Sequence, residues 1–334
     1  MKEAMFYEKK GENVKCGLCR HQCLIANGKR GICGIRQNTN GKLQTLVYGK
    51  TIAAHVDPIE KKPFFHFLPG TSSFSIATAG CNLRCQHCQN WEISQGAGKL
   101  EGIPGDGMPP EEVVRLAKQY DCKSISYTYT EPTVFFEYAY DTAQLAKREG
   151  LCNTFVTNGY MSKEALETIA PYLDAANVDI KGFTEKFYRE VCGARLAPVL
   201  ENVKRMKELG IWVEITTLVI PTLNDSKKGL KGIAQFIADV DPHIPWHVSA
   251  FHPDYKLVSL PSTPRKTIEK AVDIGYGAGL KYVYGGNIPG VGENTYCYKC
   301  KTPLITRYVF NVMENNVRDS KCPKCGAEIH GVGL

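Results

Sequence analysis

The sequence predicts an α/β fold: an open, partial (β/α)6-type TIM-like barrel between an N-terminal cysteine-rich metal-binding segment and a C-terminal zinc-ribbon module. Three observations carry this. From residue 73 onward, strand-like and helix-like segments alternate, which argues for a parallel sheet with helices outside. Six or seven such units are too few to close an eight-stranded barrel, although a doubly wound open sheet would give the same alternation. Eleven of the fourteen cysteines fall into three compact groups, one before the alternation, one after its first strand and one behind it.

The boundaries follow from these groups: 1–72 for the cysteine-rich segment and lead-in loop, 73–290 for the barrel, 291–334 for the ribbon. Within the first, Asn38-Thr39-Asn40-Gly41 signals a turn, and 43–56 has the apolar content of a strand or hairpin. Asp57-Pro58-Ile59-Glu60-Lys61-Lys62-Pro63 reads as an ordered loop. Strands are expected at 74–79, 124–130, 153–157, 175–181, 212–220, 246–251 and 281–285. Helices are expected near 110–120, 133–149, 162–171, 184–190, 196–209, 226–239 and 264–278. The clearest helix sets Leu196, Val199, Leu200, Val203, Met206 and Leu209 on one stripe, with Gly210 as its stop.

A 334-residue chain with 43% hydrophobic and 22% charged residues can bury a full core as an ordinary globular protein. The net charge of +7 is mild, and Lys61-Lys62 and Lys227-Lys228 read as solvated faces rather than a nucleic-acid track. No apolar run reaches the ~18 residues of a membrane span, and the N-terminus has no signal-peptide core. The expectation is a cytoplasmic protein without a membrane partner. In a reducing compartment, clustered cysteines read as metal sites. Cys122 and Cys152 read as core packing, whereas Cys192 precedes Gly193 and so borders a loop.

The three groups differ in kind. Cys16, Cys19, Cys23 and Cys33 are spaced C-x2-C-x3-C-x9-C, a closed set that suits zinc or a second iron–sulfur cluster equally. Cys297-x2-Cys300 and Cys322-x2-Cys325, 21 residues apart, form a tetrahedral pattern for a structural zinc, with a rubredoxin-like iron as the alternative. Cys81, Cys85 and Cys88 bring three thiolates within eight residues and have no fourth cysteine nearby. Three thiolates can hold a four-iron cluster with one iron open to a small molecule. The alternative is a zinc completed by His87 or a distant cysteine.

In a barrel, alternate strand residues point inward, and chemistry sits at the C-terminal strand ends. Asn177, Asp179 and Lys181 share one face of their strand, opposite Ala176, Val178 and Ile180. A buried Asp and Lys must pair with each other or with a ligand. Ser126, Thr128 and Thr130 share a face that leads to Glu131-Pro132, and Thr157-Asn158-Gly159 closes the next strand in a turn. His247, Ser249 and Phe251 share another face, and His252-Pro253-Asp254 reads as a substrate-loop segment. Gly285-Gly286-Asn287-Ile288-Pro289-Gly290 has the wrong spacing for a dinucleotide fingerprint and reads as a turn.

The run AGCNLRCQHCQN resembles radical S-adenosylmethionine (SAM) enzymes. DPIEKKPFFHFLPG, SYTYTEP, PWHVSAFHPDYK and GNIPG extend the resemblance to the pyruvate formate-lyase activating enzyme-like branch, and within it to AmmeMemoRadiSam-system enzymes. The resemblance implies a 4Fe-4S cluster on Cys81, Cys85 and Cys88, whose open iron is chelated by the methionyl end of SAM. One electron then yields methionine and a 5′-deoxyadenosyl radical, which removes hydrogen from an unidentified small-molecule or protein substrate. It further implies that His87 lies near the adenine and that Glu131 accepts the methionyl amine. Asn158, Asp179, Lys181 and His247 match cofactor-facing positions, and the GNIPG turn gains possible adenosyl contacts. The implied partners are an electron donor such as flavodoxin or ferredoxin, with a functional link to AMMECR- and Memo-family proteins.

The chain departs from the activases at three positions. Tyr129-Thr130 replaces Gly-Gly before the acid, Thr216-Thr217-Leu218 lacks their arginine, and Val156 stands where they carry an acid. These departures weigh against glycyl-radical activation, the second reading, without touching SAM cleavage. A metal-stabilised RNA- or protein-binding scaffold is the third, and it gives Glu131 and Asp179 no purpose.

Overall fold

The computed structural model describes residues 2–96 and 102–334. Its central sheet has eight strands: β1 (Ala53–Pro58), β2 (Ser72–Ala77), β3 (Ser124–Tyr127), β4 (Cys152–Thr157), β5 (Ala175–Asp179), β6 (Trp212–Val219), β7 (Trp246–Ala250) and β8 (Val283–Gly286). The strands lie side by side in chain order; β2 to β8 run parallel, and β1 is antiparallel to β2 at one edge. A doubly wound sheet reverses its strand order at a switch point. This sheet does not, so the partial barrel is the fold.

Among the described residues, six helices of seven or more residues fill the crossovers: α1 (Pro110–Gln119), α2 (Phe136–Arg148), α3 (Lys163–Ile169), α4 (Ala197–Glu208), α5 (Lys227–Val240) and α6 (Arg265–Gly277). Each starts where local chemistry allows. Ser162 and Ser226 accept hydrogen bonds from backbone N–H groups in the first turns of α3 and α5, and Pro110 opens α1. On α4 the stripe read from sequence buries Val199, Val203 and Met206 completely, each contributing roughly 1.5–3 kcal/mol. Gly210 follows with φ +77, a conformation that suits its lack of a side chain.

Two segments differ from the sequence reading. The lead-in read as a loop from Asp57 continues the edge strand β1, because Pro58 at a sheet edge removes no ladder bond that a neighbour needs. The helix expected at 184–190 is a single turn, Glu185–Phe187, running into a π-type turn at Tyr188–Cys192. Gly193, at φ +70, ends it.

The N-terminal residues form two small three-stranded sheets, Tyr7–Lys10 with Asn13–Cys16 and Leu24–Ile25, and Lys2–Glu3 with Lys42–Thr45 and Arg36–Thr39. Their apolar residues Val14, Leu18, Ile25, Ile35 and Leu43 join the barrel core. A buried ion pair, Arg36 to Glu137 at 2.9 Å, ties them to α2. At the other end, Thr295–Tyr296, Pro303–Tyr308 and Asn311–Asn315 make an antiparallel sheet. Its small core of Leu304, Ile305, Val317 and Ile329 is completed by Phe65, Tyr282 and Tyr284.

Candidate functional site

After β2, Gly80 turns the chain with φ +101 into the loop that carries Cys81, Cys85 and Cys88. Backbone bonds pin that loop to the π-type turn: Arg84 N–H to the Cys192 carbonyl at 2.8 Å and Gln86 N–H to the Val191 carbonyl at 2.9 Å. All three cysteines line one cavity, with about 440 Å³ open to the centre of a water-sized body. That is the size of a small-molecule site. Strand ends and the loops after them supply the other walls, including Glu131, Asn158, Asp179, Lys181 and His87.

Glu131 is buried at the end of this wall. Its Oε1 accepts from the Thr133 backbone N–H (3.0 Å), the Thr133 hydroxyl (2.6 Å) and the Thr157 hydroxyl (2.7 Å), and its Oε2 accepts from the Asn158 N–H (2.8 Å). Burial pushes its pKa up despite these donors. Oε2 has room for another donor, so a cation in the cavity would restore what desolvation costs. Asn158 donates to Asn82 Oδ1 at 2.8 Å, which fixes its side chain between the cysteine loop and the strand end.

Asp179 and Lys181 pair with each other at 2.8 Å, one of the two alternatives the sequence pattern allows. Burial alone would push the lysine down, but Asp179 and Cys85 hold its pKa well above the usual value. His87 is driven the other way. Burial, and then the Lys181 charge, lower its pKa to about 3, so its ring is neutral. Both ring nitrogens are buried without a partner, and the ring stacks on Phe187 at 6.3 Å. A flat neutral ring with an unused donor and acceptor in a cavity wall suits a heteroaromatic ligand.

Two side chains escaped the sequence reading. Cys192 lies against Cys85, and the Cys85, His87 and Cys192 ligand atoms fall within 4.8 Å of one another. A hydrogen bond from Cys192 lowers the Cys85 pKa. Gly193 was the only sequence signal for it. Lys62, read as part of a solvated face, is buried at the cavity wall because Asp57 accepts from it at 2.6 Å. Tyr129 also binds Asp57 through its hydroxyl, and the Lys62 ammonium sits 4.1 Å from the Tyr129 ring centre. Tyr129 holds φ +59, a left-handed conformation uncommon for a bulky residue.

His247 requires a correction. It does not line the cavity; its Nε2 lies 2.7 Å from Glu214 Oε2, and its ring packs on Phe65 and Tyr284. It shares the inward face of β7 with Ser249 but sits two residues deeper, level with Thr216 and Tyr284, and the strand reaches the cavity only at Ser249. Asn287, in the turn after β8, does reach it.

The outer cysteine groups also differ. In the C-terminal group, Cys297 and Cys325 stand 3.6 Å apart, Cys300 and Cys322 likewise, and all four sulfurs lie within 4.8 Å of one another. The N-terminal four line a hollow instead. Burial pushes the pKa of Cys19 up to about 12 and of Cys33 up to about 11, so as free thiols both stay protonated.

Comparison with known proteins agrees with this geometry. A family model described as the radical SAM superfamily matches residues 75–230. An uncharacterized protein of Methanocaldococcus jannaschii is 49% identical, over 98% of this chain and 99% of its own. A pyruvate formate-lyase-activating enzyme of Clostridium pasteurianum is 25% identical, over 57% of this chain and 86% of its own. The crystal structure of a radical SAM methyltransferase from Sphaerobacter thermophilus shares the fold, with TM-score 0.52 and 15% identity over 66% of this chain and 67% of its own.

Proposed function

This chain belongs to the radical SAM superfamily, and from that premise we propose that it cleaves SAM reductively in the 440 Å³ cavity to act on an unidentified substrate. The observation that carries the proposal is three thiols on one loop, facing a cavity that also holds a desolvated carboxylate and a neutral, partnerless imidazole. This donor set fits a 4Fe-4S cluster with one open iron. Cys81, Cys85 and Cys88 line a common space, yet they do not gather at the one-ion spacing of the C-terminal group. The trio Cys85, His87 and Cys192 does approach that spacing, but a zinc there would leave Cys81 and Cys88 without a role.

Cys81, Cys85 and Cys88 would hold the cluster, which would supply the one-electron reduction that SAM cleavage requires. The chain's own residues bind and orient. Glu131 Oε2 would take the methionyl ammonium, Asn158 braces the cysteine loop, and the Asp179–Lys181 pair would offer a charge of each sign to the rest of the cofactor. His87 would face the adenine as a neutral ring. Leu83, Val156 and Leu218 keep the wall between these groups apolar, which limits water at the reacting carbon. Lys61 and Lys62 border the remaining space and favour a substrate with an anionic group.

We divide the labour among residues 1–72 as a metal-binding segment, 73–290 as the catalytic barrel and 291–334 as a stabilising ribbon. Cys297, Cys300, Cys322 and Cys325 fit one zinc ion, since Zn–S bonds of about 2.3 Å set tetrahedral sulfurs ~3.8 Å apart. The electron comes from a ferredoxin- or flavodoxin-type donor, and a reducing cytoplasm suits fourteen free cysteines. The link to the AMMECR and Memo families rests on segment resemblance. A second reading, activation of a partner protein, is favoured by the similarity to an activating enzyme and opposed by Val156 and Thr216. The test is anaerobic: protein reconstituted with iron and sulfide, given dithionite and SAM, should release 5′-deoxyadenosine, and Cys85→Ala should not. Full activity in Cys85→Ala would refute the cluster assignment.

A further inference from the structure

We propose that Cys16, Cys19, Cys23 and Cys33 hold a second 4Fe-4S cluster, placed to pass one electron to the cluster at Cys81, Cys85 and Cys88. The first half stands on its own geometry; the second rests on the radical SAM reading above.

The chain contains its own standards for the choice between zinc and cluster. A single ion draws four sulfurs to itself, and the C-terminal cysteines show that arrangement, with pairs at 3.6 Å and all four sulfurs within 4.8 Å. In a cubane each cysteine ligates a different iron, so the sulfurs stand apart around a shared space. Cys81, Cys85 and Cys88 show that second arrangement. The N-terminal four follow it too. All of them line one hollow, about 20 Å³ of which is open to the centre of a water-sized body, and they form no group at the one-ion spacing.

The walls suit a cluster. Leu18, Ile25 and Val134 make the hollow apolar, and Arg36 lines it as its one cation. Arg36 is buried and gives its Nη1 to Glu137, while its Nε is buried without a partner. Glu137 offsets the Arg36 charge, but the unpartnered Nε–H remains as a donor in the wall, and hydrogen bonds to a cluster's sulfurs favour the reduced, more anionic state that an electron carrier must reach.

The two cysteine sites are separated by a single layer of backbone. A Cβ built on Gly80 would lie 2.9 Å from the Cys33 carbonyl oxygen, and Arg84 donates to the Ile32 carbonyl. Asn82 lines the hollow, while its chain neighbours Cys81 and Leu83 line the cavity. Its Oδ1 accepts from Asn158, and its carbonyl lies 2.8 Å from His21 Nε2, so bonded contacts run from the Cys19–Cys23 turn to the cavity wall. On the outer side, the exposed Leu24 and Ile32 adjoin Cys23 and Cys33, which gives a donor protein an apolar landing beside the hollow. The step balances simply. A reduced ferredoxin- or flavodoxin-type protein gives one electron to the N-terminal cluster, which is reoxidised in reducing the other; no bond or proton changes hands.

The test uses the full chain with Cys81, Cys85 and Cys88 all changed to alanine, reconstituted anaerobically with iron and sulfide in the presence of zinc. The expected result is about four irons and four sulfides, with a dithionite-reduced paramagnetic signal that SAM leaves unchanged. A second zinc and no iron would overturn the site. Should that variant fail to fold, the wild-type chain decides: about eight irons and two mutually broadened signals support it, about four irons and two zincs refute it. For the relay, the double variant Cys19→Ser, Cys33→Ser is reduced by flavodoxin and frozen at intervals. Reduction of the remaining cluster should slow about tenfold or more, and an unchanged rate would remove the relay. Formation of 5′-deoxyadenosine by the wild type with dithionite reports separately on the radical reading, so the two proposals fail apart.

Discussion

Replacing Gly80 with alanine would push a methyl group into the seam between the two cysteine-bearing loops. The new Cβ would meet the Cys33 carbonyl oxygen at 2.9 Å and the Ile35 Cγ2 at 2.9 Å, both inside the closest normal approach. Neither neighbour yields easily, because the clash at Cys33 is with backbone and Ile35 is fully buried. Backbone strain from a side chain at φ +101 adds about 1–3 kcal/mol, and overpacking about 1–3 kcal/mol more. The sum, about 2–6 kcal/mol, is a large share of the 5–15 kcal/mol that holds a typical domain together. Thermal unfolding of the anaerobic protein, followed by circular dichroism, should show a Tm lower by on the order of 5–10 °C. Iron should fall at both the N-terminal and central groups, because one contact positions both loops. An unchanged Tm with a full iron complement would refute the claim that Cys33 presses on the radical loop.

Further outcomes follow from the same geometry. Glu131→Gln removes the charge proposed to receive the methionyl ammonium, so SAM affinity measured by equilibrium dialysis should fall about 10- to 100-fold, the worth of one charge-assisted hydrogen bond; undiminished affinity would exclude that role. His247→Asn removes a buried hydrogen bond to Glu214 and should cost about 1–3 kcal/mol of stability while leaving SAM affinity unchanged. A tenfold or larger loss of affinity at full stability would return His247 to the cofactor site. Burial holds the Lys62 pKa to about 8, below its ordinary 10.5. The unfolded chain therefore binds more protons between those values, and this group's contribution to stability rises with pH across that window. Lys62→Met should flatten that rise in a series of Tm measurements from about pH 8 to 10, and an unaltered slope would contradict the burial.

The barrel was legible because its signals are local. Strand alternation and helix stripes are one-dimensional patterns, and the stripe through Val199, Val203 and Met206 is buried as read. The Asp179–Lys181 pair was legible for the same reason, since period two puts both on one face and burial forces a partner on each. What stayed hidden depends on depth or on distant segments. Period two names the face of His247 but not its level along the barrel, and level decides between Glu214 and the cavity. Lys62 is buried only because Tyr129, far away in sequence, shares Asp57 with it. Cys192 reaches Cys85 through a π-type turn that has no residue signature. The N-terminal tetrad gave four cysteines in order, and sequence order carries nothing of their spacing in three dimensions, on which the proposal of a cluster rests.

The most direct test of the central claim is electron–nuclear double resonance on the dithionite-reduced protein, with SAM labelled by ¹⁵N at the amine and ¹³C at the carboxylate. The account predicts hyperfine coupling from both labels to the cluster at Cys81, Cys85 and Cys88, because three cysteine ligands would leave one iron open to the methionyl end of the cofactor. Absence of coupling from either label, in protein whose central cluster is fully assembled, would contradict it.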